Sequence, residues 1–361
     1  MRDAKTAMTL CQQCPKLCRF SCPVADADQN EATTPWGKMT AMKLVEEKKL
    51  PMTAETMGLA YKCLNCRLSE EVCELDNPVS SVLDTYRVRA FHAGLAPEAV
   101  VSYCKKFGKE NNPFGKDLFR ELQKRFPERL KGKKRTAYFP GCTEIAREPA
   151  TIGRTFELLE ILKAKEVGLY AEPIQCCGYP LFAAGDWDNF VELAEVNSNA
   201  LRDYGLILTG APACLYTMET LYRSAGHPTS AKFMHIVEYL ASHLSSLVPR
   251  PSPLTVAYHD PCYLGRYRKT YEAPRRLIEK VSGRAPREFF RNREGSYCCG
   301  AGGLLPVSFP ETAEKITENR IEEFKRTGAE LLVSSCPTCV HRFKKFGVRA
   351  KNLVEYLFSN L

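Results

Sequence analysis

Hydrophobic spacing changes character once along the chain, near Thr136. Before that point apolar residues recur only at helical intervals, and the stretches from Trp36 to Lys49 and from Ala54 to Tyr61 predict helices. No alternating strand pattern occurs there, so the N-terminal block is expected to be all-helical. From Thr136 onward, short buried-looking runs that end in a turn and a cysteine alternate with helical patterns. Examples are Phe156, Leu158, Leu159 and Leu162, and later Ile316, Ile321 and Phe324, each with charges on the opposite face. Strand alternating with helix predicts small α/β units.

This second region repeats itself. Thr136-Ala137-Tyr138-Phe139-Pro140-Gly141-Cys142 returns as Val256-Ala257-Tyr258-His259-Asp260-Pro261-Cys262, and Cys176-Cys177-Gly178 as Cys298-Cys299-Gly300. The run Leu206 to Cys214 returns as Leu331 to Cys339, and Val-Glu-Tyr-Leu closes each copy, at 237–240 and 354–357. Four stations in one order indicate a duplication. The proline-rich stretch Pro249-Arg250-Pro251-Ser252-Pro253 cannot continue a helix and marks the boundary between the copies.

Composition adds one outlier. The 361 residues are 44% hydrophobic and 26% charged, an ordinary globular balance. Cysteine, however, occurs 17 times. Met1 to Lys5 lacks the plan of a secretory signal, and no run approaches the roughly 18 apolar residues of a membrane span, so a cytosolic protein is expected. Thiols stay reduced there, and metal binding explains the cysteines better than disulfides do. The net charge of +9 is concentrated in residues 104–135, where twelve Lys or Arg face four acids. That segment reads first as a solvated helix face, and second as a docking surface for an acidic partner or the inner face of a membrane. Metal-bound thiolates would offset the formal charge, so no nucleic-acid binding is expected.

The cysteine spacing narrows the metal. Cys11-x2-Cys14-x3-Cys18-x3-Cys22-Pro23 is one residue longer than the run of bacterial cluster ferredoxins, and Cys63-x2-Cys66-x6-Cys73 keeps that run's outer spacing with Ser69 at the third position. Because the last cysteine of such a run crosses to the other cluster, Cys11, Cys14, Cys18 and Cys73 are expected at one site, and Cys63, Cys66 and Cys22 at the other. The second site then has three cysteines. It holds either a three-iron cluster or a cube completed by Ser69, by Glu70 or Glu71, or by water. Structural zinc is the alternative, although zinc ligands usually come as two close pairs.

In the second repeat, Cys262, Cys298, Cys299, Cys336 and Cys339 supply five thiolates, more than one zinc or a simple cube needs. The first keeps Cys142, Cys176, Cys177 and Cys214 but has Ala211 where Cys336 stands. Gly300, Gly302 and Gly303 would let backbone approach a ligand closely. His259 is read as a satisfied structural residue rather than a ligand or proton donor, and Cys104 as a buried thiol. No dinucleotide fingerprint, P-loop, nucleophile elbow or H-E-x-x-H motif occurs.

A doubled C-x(~30)-C-C-G-x(~30)-C-x-x-C pattern behind a two-cluster block resembles the cysteine-rich CCG-domain iron–sulfur proteins. These include the iron–sulfur subunits of glycolate oxidase and anaerobic glycerol-3-phosphate dehydrogenase, and the heterodisulfide reductase subunit that combines both parts. The resemblance implies a multidomain α+β chain. A helical ferredoxin-like domain (1–95) and a basic helical linker (96–134) would be followed by a first, degenerate CCG domain (135–250) and a second, complete one (251–361). It also implies two N-terminal clusters of the 4Fe-4S type, with the Ser69 departure at the second, and a non-cubane four-iron cluster in the complete CCG motif. Ala211 leaves a cluster in the first motif open. The function expected is an electron-transfer subunit between an FAD-containing 2-hydroxy-acid dehydrogenase, such as one acting on glycolate or lactate, and a quinone or similar acceptor. The chain itself supplies no flavin site. The alternatives are a catalytic subunit reducing a disulfide at the CCG cluster, and a metal scaffold without turnover.

Overall fold

The computed structural model describes residues 3–173, 175–250 and 254–361. Within these, everything before Thr136 that is regular is helical. Local chemistry explains where the helices start. The side chains of Asp3, Thr34, Thr53 and Asp117 accept from the backbone N–H groups of Thr6, Gly37, Thr56 and Arg120, capping the helices Ala4–Gln13, Pro35–Glu46, Ala54–Tyr61 and Leu118–Arg125. The helix expected from Trp36 to Lys49 thus runs from Pro35 to Glu46, and the one from Ala54 to Tyr61 has the bounds read from the sequence.

The basic stretch is not a bare linker. Its helices Glu98–Phe107 and Leu118–Arg125 bury Val100, Phe107, Leu118 and Leu122 in two different cores, while most of their lysines and arginines face solvent.

Beyond it lie two parallel four-stranded sheets. The first contains β1 (Thr136–Tyr138), β2 (Val167–Leu169), β3 (Leu206–Thr209) and β4 (Lys232–His235), in the order β2-β1-β3-β4. The second contains β5 (Val256–His259), β6 (Arg287–Glu288), β7 (Leu331–Ser334) and β8 (Ala350–Asn352), in the order β6-β5-β7-β8. The two orders are the same topology. Even the register repeats, with Tyr138 opposite Leu208 and Tyr258 opposite Val333. Of the proline-rich boundary, Pro251, Ser252 and Pro253 lie outside the described residues.

Three cores join these parts. One packs the two sheets and their helices together through Tyr138, Ile152, Tyr258, Leu277 and Leu353. A second sets Met39, Tyr61 and Leu83 of the helical block against Cys176, Leu181 and Phe190 of the first copy. The third sets Cys22, Leu64 and Cys66 against Cys298, Ile316 and Phe343 of the second copy. The helical block therefore touches both copies. Gly302 and Gly303 lie at that seam, where an added Cβ would collide with the carbonyl oxygens of Leu64 and Cys63 respectively. The glycines do permit a close approach, but to the helical block's own backbone.

Candidate metal centres

The order β2-β1-β3-β4 reverses direction between β1 and β3. In such sheets the crevice for a ligand opens beyond the carboxyl ends of those two strands. Cys142 follows β1, Cys214 follows β3, and Cys176-Cys177 follows β2. In the second copy Cys262, Cys298-Cys299 and the Cys336–Cys339 pair hold the same positions. Fold and cysteine spacing thus converge at the switch point of each sheet.

In the first copy the sulfurs of Cys176 and Cys142 lie 3.5 Å apart. Asn197 donates to the Cys176 carbonyl at 3.0 Å, and Tyr222 to that of Cys177 at 2.9 Å. Ala211 fills the place of Cys336. Glu144, whose charge acts on Cys214, is fully buried, and that burial pushes its pKa up to about 8 against the hydrogen bond from Tyr138.

The second copy is furnished differently. The turn before Cys262 is pinned by a buried two-pronged pair, in which Arg275 donates to both oxygens of Asp260 at 2.8 Å. Thr317 donates to the Cys299 carbonyl at 2.9 Å and accepts from Arg342 at 2.8 Å. The Cys298 thiol is held well below the usual range by the neighbouring Cys262 and Cys299 thiols and by the N–H groups of Gly300 and Gly302, against its burial. A ring nitrogen of His259 and the sulfurs of Cys299 and Cys339 lie within 4.8 Å of one another. His259 is completely buried, yet its Nε2 has no hydrogen-bond partner among the described residues. The expectation of a satisfied structural histidine is therefore corrected: only Nδ1, which faces Arg320, is satisfied.

In the helical block, Cys22, Cys63, Cys66 and Ser69 line one small pocket together with Lys38. Lys38 is buried, donates to the Lys62 carbonyl at 2.6 Å and lies 3.8 Å from the Cys22 sulfur. Cys11, Cys14, Cys18 and Cys73 gather in an adjoining neighbourhood, where Cys18 is also within reach of Cys22. Burial pushes the Cys11 thiol up to about 11, against a hydrogen bond from Asn77 at 3.2 Å, and Cys73 and Cys14 are close enough to raise it further. Burial likewise brings Cys18 to about 11, with Cys11, Cys22 and Cys14 as its charged neighbours. Cys104 is buried apart from these groups, and burial pushes its thiol up to about 12.

The two halves of the molecule meet at the cysteines. Cys66 is close enough to Cys298 and Cys262 for their charges to act on one another, and Arg266 lies among all three. Arg266 is buried and donates to the carbonyls of Cys66, Glu294 and Ser296, with no carboxylate partner among the described residues. Its Nη2 and that of Arg342 are buried without a partner there. A buried cation needs an anion; the groups that act on Arg266 are the thiols of Cys66, Cys262 and Cys298, and those that act on Arg342 are Cys299, Glu314 and Cys298. That donor set, many soft thiolates around unpaired buried cations, fits an anionic sulfur-bridged metal centre. Arg266, Arg342 and Lys38 escaped the sequence reading, as did the open nitrogen of His259, a residue weighed there as ligand or proton donor and set aside. Aligning the copies on their cysteines would have exposed three of them, because Ala146, Thr217 and Phe139 occupy the places of Arg266, Arg342 and His259.

Residues 136–219 and 256–344 each match the family model of the cysteine-rich CCG domain. The chain's relatives are redox proteins by name. A dihydromethanophenazine:CoB–CoM heterodisulfide reductase subunit of Methanosarcina barkeri is 29% identical over 290 residues, covering 77% of this chain and 71% of its own. A fumarate reductase (CoM/CoB) subunit of Methanothermobacter marburgensis is 26% identical over 94% of this chain and 70% of its own. The probable iron-sulfur-binding oxidoreductase FadF of Bacillus subtilis is 26% identical over 78% of this chain and 42% of its own. No helix among the described residues is long and apolar enough to cross a membrane.

Proposed function

We propose that the chain is an iron–sulfur subunit of an oxidoreductase complex, in which the helical block and the second CCG domain form one electron path. The observation that carries this reading is the closeness of Cys66 to Cys262 and Cys298 with Arg266 buried among them. Clusters bound at these sites would accept and pass on single electrons. On this reading residues 1–95 are a ferredoxin-like domain with two ligand sets, Cys11, Cys14, Cys18 and Cys73, and Cys22, Cys63 and Cys66 with Ser69. Residues 96–134 connect it to CCG domains at 135–250 and 251–361, of which the second binds a four-iron centre through Cys262, Cys298, Cys299, Cys336 and Cys339. Cys142, Cys176, Cys177 and Cys214 form a reduced set without a counterpart of Cys336. Lys38 and Arg266 offset the charge of the sites they adjoin, which favours uptake of an electron there.

The donor in this reading is an FAD-containing dehydrogenase subunit and the acceptor a quinone or similar carrier. A second reading, disulfide reduction at the second CCG centre, is favoured by the relatives named as heterodisulfide reductase and CoM/CoB reductase subunits. Anaerobic purification tests the common ground. The protein should be brown and carry roughly eight to sixteen irons, for two to four clusters of about four. A colourless protein with stoichiometric zinc would overturn both readings. Reconstitution with a flavoprotein, against reconstitution with a thiol-cofactor disulfide, then separates them by which one exchanges electrons with the chain.

A further inference from the structure

Three buried nitrogens around the cysteines of the second CCG domain have no acceptor among the described residues: His259 Nε2, Arg266 Nη2 and Arg342 Nη2. Leaving a buried donor unpaired forfeits its hydration without return, so a protein that builds three around one group of sulfurs is furnished for something that accepts hydrogen bonds there. The first domain has Phe139, Ala146 and Thr217 at the same stations, so the furnishing belongs to the second domain alone.

Of the three, His259 is the most constrained. Arg320 donates its Nε–H to His259 Nδ1 at 3.3 Å. A guanidinium has no acceptor and does not lose its proton in proteins, so Nδ1 must hold a lone pair and the neutral ring carries its hydrogen on Nε2. Arg320 cannot turn away. It is fully buried and is held by the Glu323 carboxylate at 2.5 Å, the Arg291 carbonyl at 3.0 Å and the Ser296 hydroxyl at 3.2 Å. The edges of Phe343 and Phe289, with ring centres 5.1 and 6.1 Å away, fix the plane of the imidazole.

We infer that His259 is a hydrogen-bond donor to the sulfur-ligated centre of the second CCG domain, through Nε2–H, and not one of its ligands. Arg320 is the positioning residue that fixes the tautomer. The inference rests on the iron–sulfur reading above. A donor aimed at sulfur binds the more negative, reduced centre more strongly than the oxidised one, so its effect is to raise the reduction potential.

The test uses the full chain, purified anaerobically, with iron content, redox titration and pulsed electron paramagnetic resonance as readouts. In the unmodified protein with nitrogen-labelled histidine, a weak nitrogen coupling and an exchangeable proton coupling are expected at the second-domain centre. His259→Phe, which reproduces the first domain's residue, should keep its iron, lose both couplings and lower the midpoint. About a tenfold change in the reduction equilibrium is expected, which is 59 mV for one electron. His259→Gln keeps an N–H and should recover most of that shift. Arg320→Met should lower the midpoint with His259 still present, and Arg320→Lys should restore it. A strong coupling of a directly bonded nitrogen, with loss of iron in His259→Phe, would make His259 a ligand and overturn the inference, as would an unchanged midpoint in that variant. Because the coupling measurement needs no substitution, it decides the matter even if a variant misfolds. Absence of iron in the unmodified chain would instead sink the iron–sulfur reading beneath it.

Discussion

The hydroxyl of Tyr263 donates to that of Tyr179 across 2.7 Å, tying the residue after Cys262 to the residue after Cys-Cys-Gly of the other CCG domain. The bond belongs to a ring cluster. Tyr263 stacks on Tyr267 at 4.2 Å, Tyr216 meets Tyr267 at 4.6 Å, and the Arg67 guanidinium sits 3.9 Å over Tyr267. Tyr263→Phe should leave the Tyr179 hydroxyl unpaired and cost about 1–3 kcal/mol, whereas Tyr179→Phe with Tyr263→Phe should cost less than either change alone. Denaturant unfolding of the two single variants and the double variant measures this coupling.

Arg87 is wholly buried and serves as a clasp. It donates to the carbonyls of Ala60 and Cys63 in the helical block, Ala183 in the first copy and Gly303 in the second. Arg87→Met should strip the donors from four carbonyls and lower stability by on the order of 3 kcal/mol. Hydrogen exchange is expected to quicken at residues 60–66, 183–185 and 302–304 together, and exchange confined to one of these segments would refute the clasp.

Ser69 lines the same pocket as Cys22, Cys63 and Cys66. Ser69→Cys supplies a soft thiolate at the spacing of a ferredoxin run. It is therefore expected to turn a three-iron signal into a four-iron one, or to shift the midpoint of a serine-ligated cube. Identical resonance spectra and titrations in variant and parent would show that Ser69 takes no part in the site.

On the proposed relay, Cys298→Ala in the chain reconstituted with a flavoprotein should remove about four irons per chain and abolish acceptor reduction while leaving reduction of that flavoprotein intact. Cys176→Ala should be milder, because the first domain lacks counterparts of Cys336, Arg266 and Arg342. Measuring flavin bleaching and acceptor reduction separately distinguishes these outcomes. Unchanged acceptor reduction by Cys298→Ala would take the second domain off the electron path.

His235 introduces a pH dependence of stability. It is fully buried, accepts from the Val237 N–H and faces the Gly210 carbonyl, with Glu238 and Arg268 as its charged neighbours. Burial depresses its pKa to about 4, against the raising effect of Glu238. The folded pKa lies below the unfolded value of about 6.5, so the unfolded chain takes up the proton first. Stability should be full above about pH 6.5 and fall by on the order of 3 kcal/mol as the pH drops towards 4. His235→Asn, the residue used at the matching cap by Asn352, should flatten that part of the profile. Unfolding midpoints between pH 4 and 7 are the measurement.

Much of the architecture was legible because duplication makes weak signals confirm one another. Thr136–Tyr138 is a short strand by any local measure, but the match to Val256–His259 and the cysteine after each identify both. β6 was not legible, since Arg287–Glu288 is two exposed charged residues whose pairing with β5 comes from the fold around it. The grouping of Cys22 with Cys63 and Cys66 follows from spacing rules that encode ligand geometry. The meeting of Cys66 with Cys298 does not, because nothing local links residues so far apart in the chain. Nothing local marks Arg266 and Arg342 for burial, for a charged residue advertises its type in sequence but not its surroundings.

The seam at Gly302 and Gly303 governs a length. Their missing side chains let the backbone of the second CCG domain rest directly on that of Cys63 and Leu64. If electrons cross from the Cys66 site to the Cys262 site, they do so by tunnelling, whose rate decays exponentially with separation. A methyl group at either glycine would meet backbone rather than a ligating sulfur and wedge the two surfaces apart, so two of the smallest residues in the chain set the pace of the crossing.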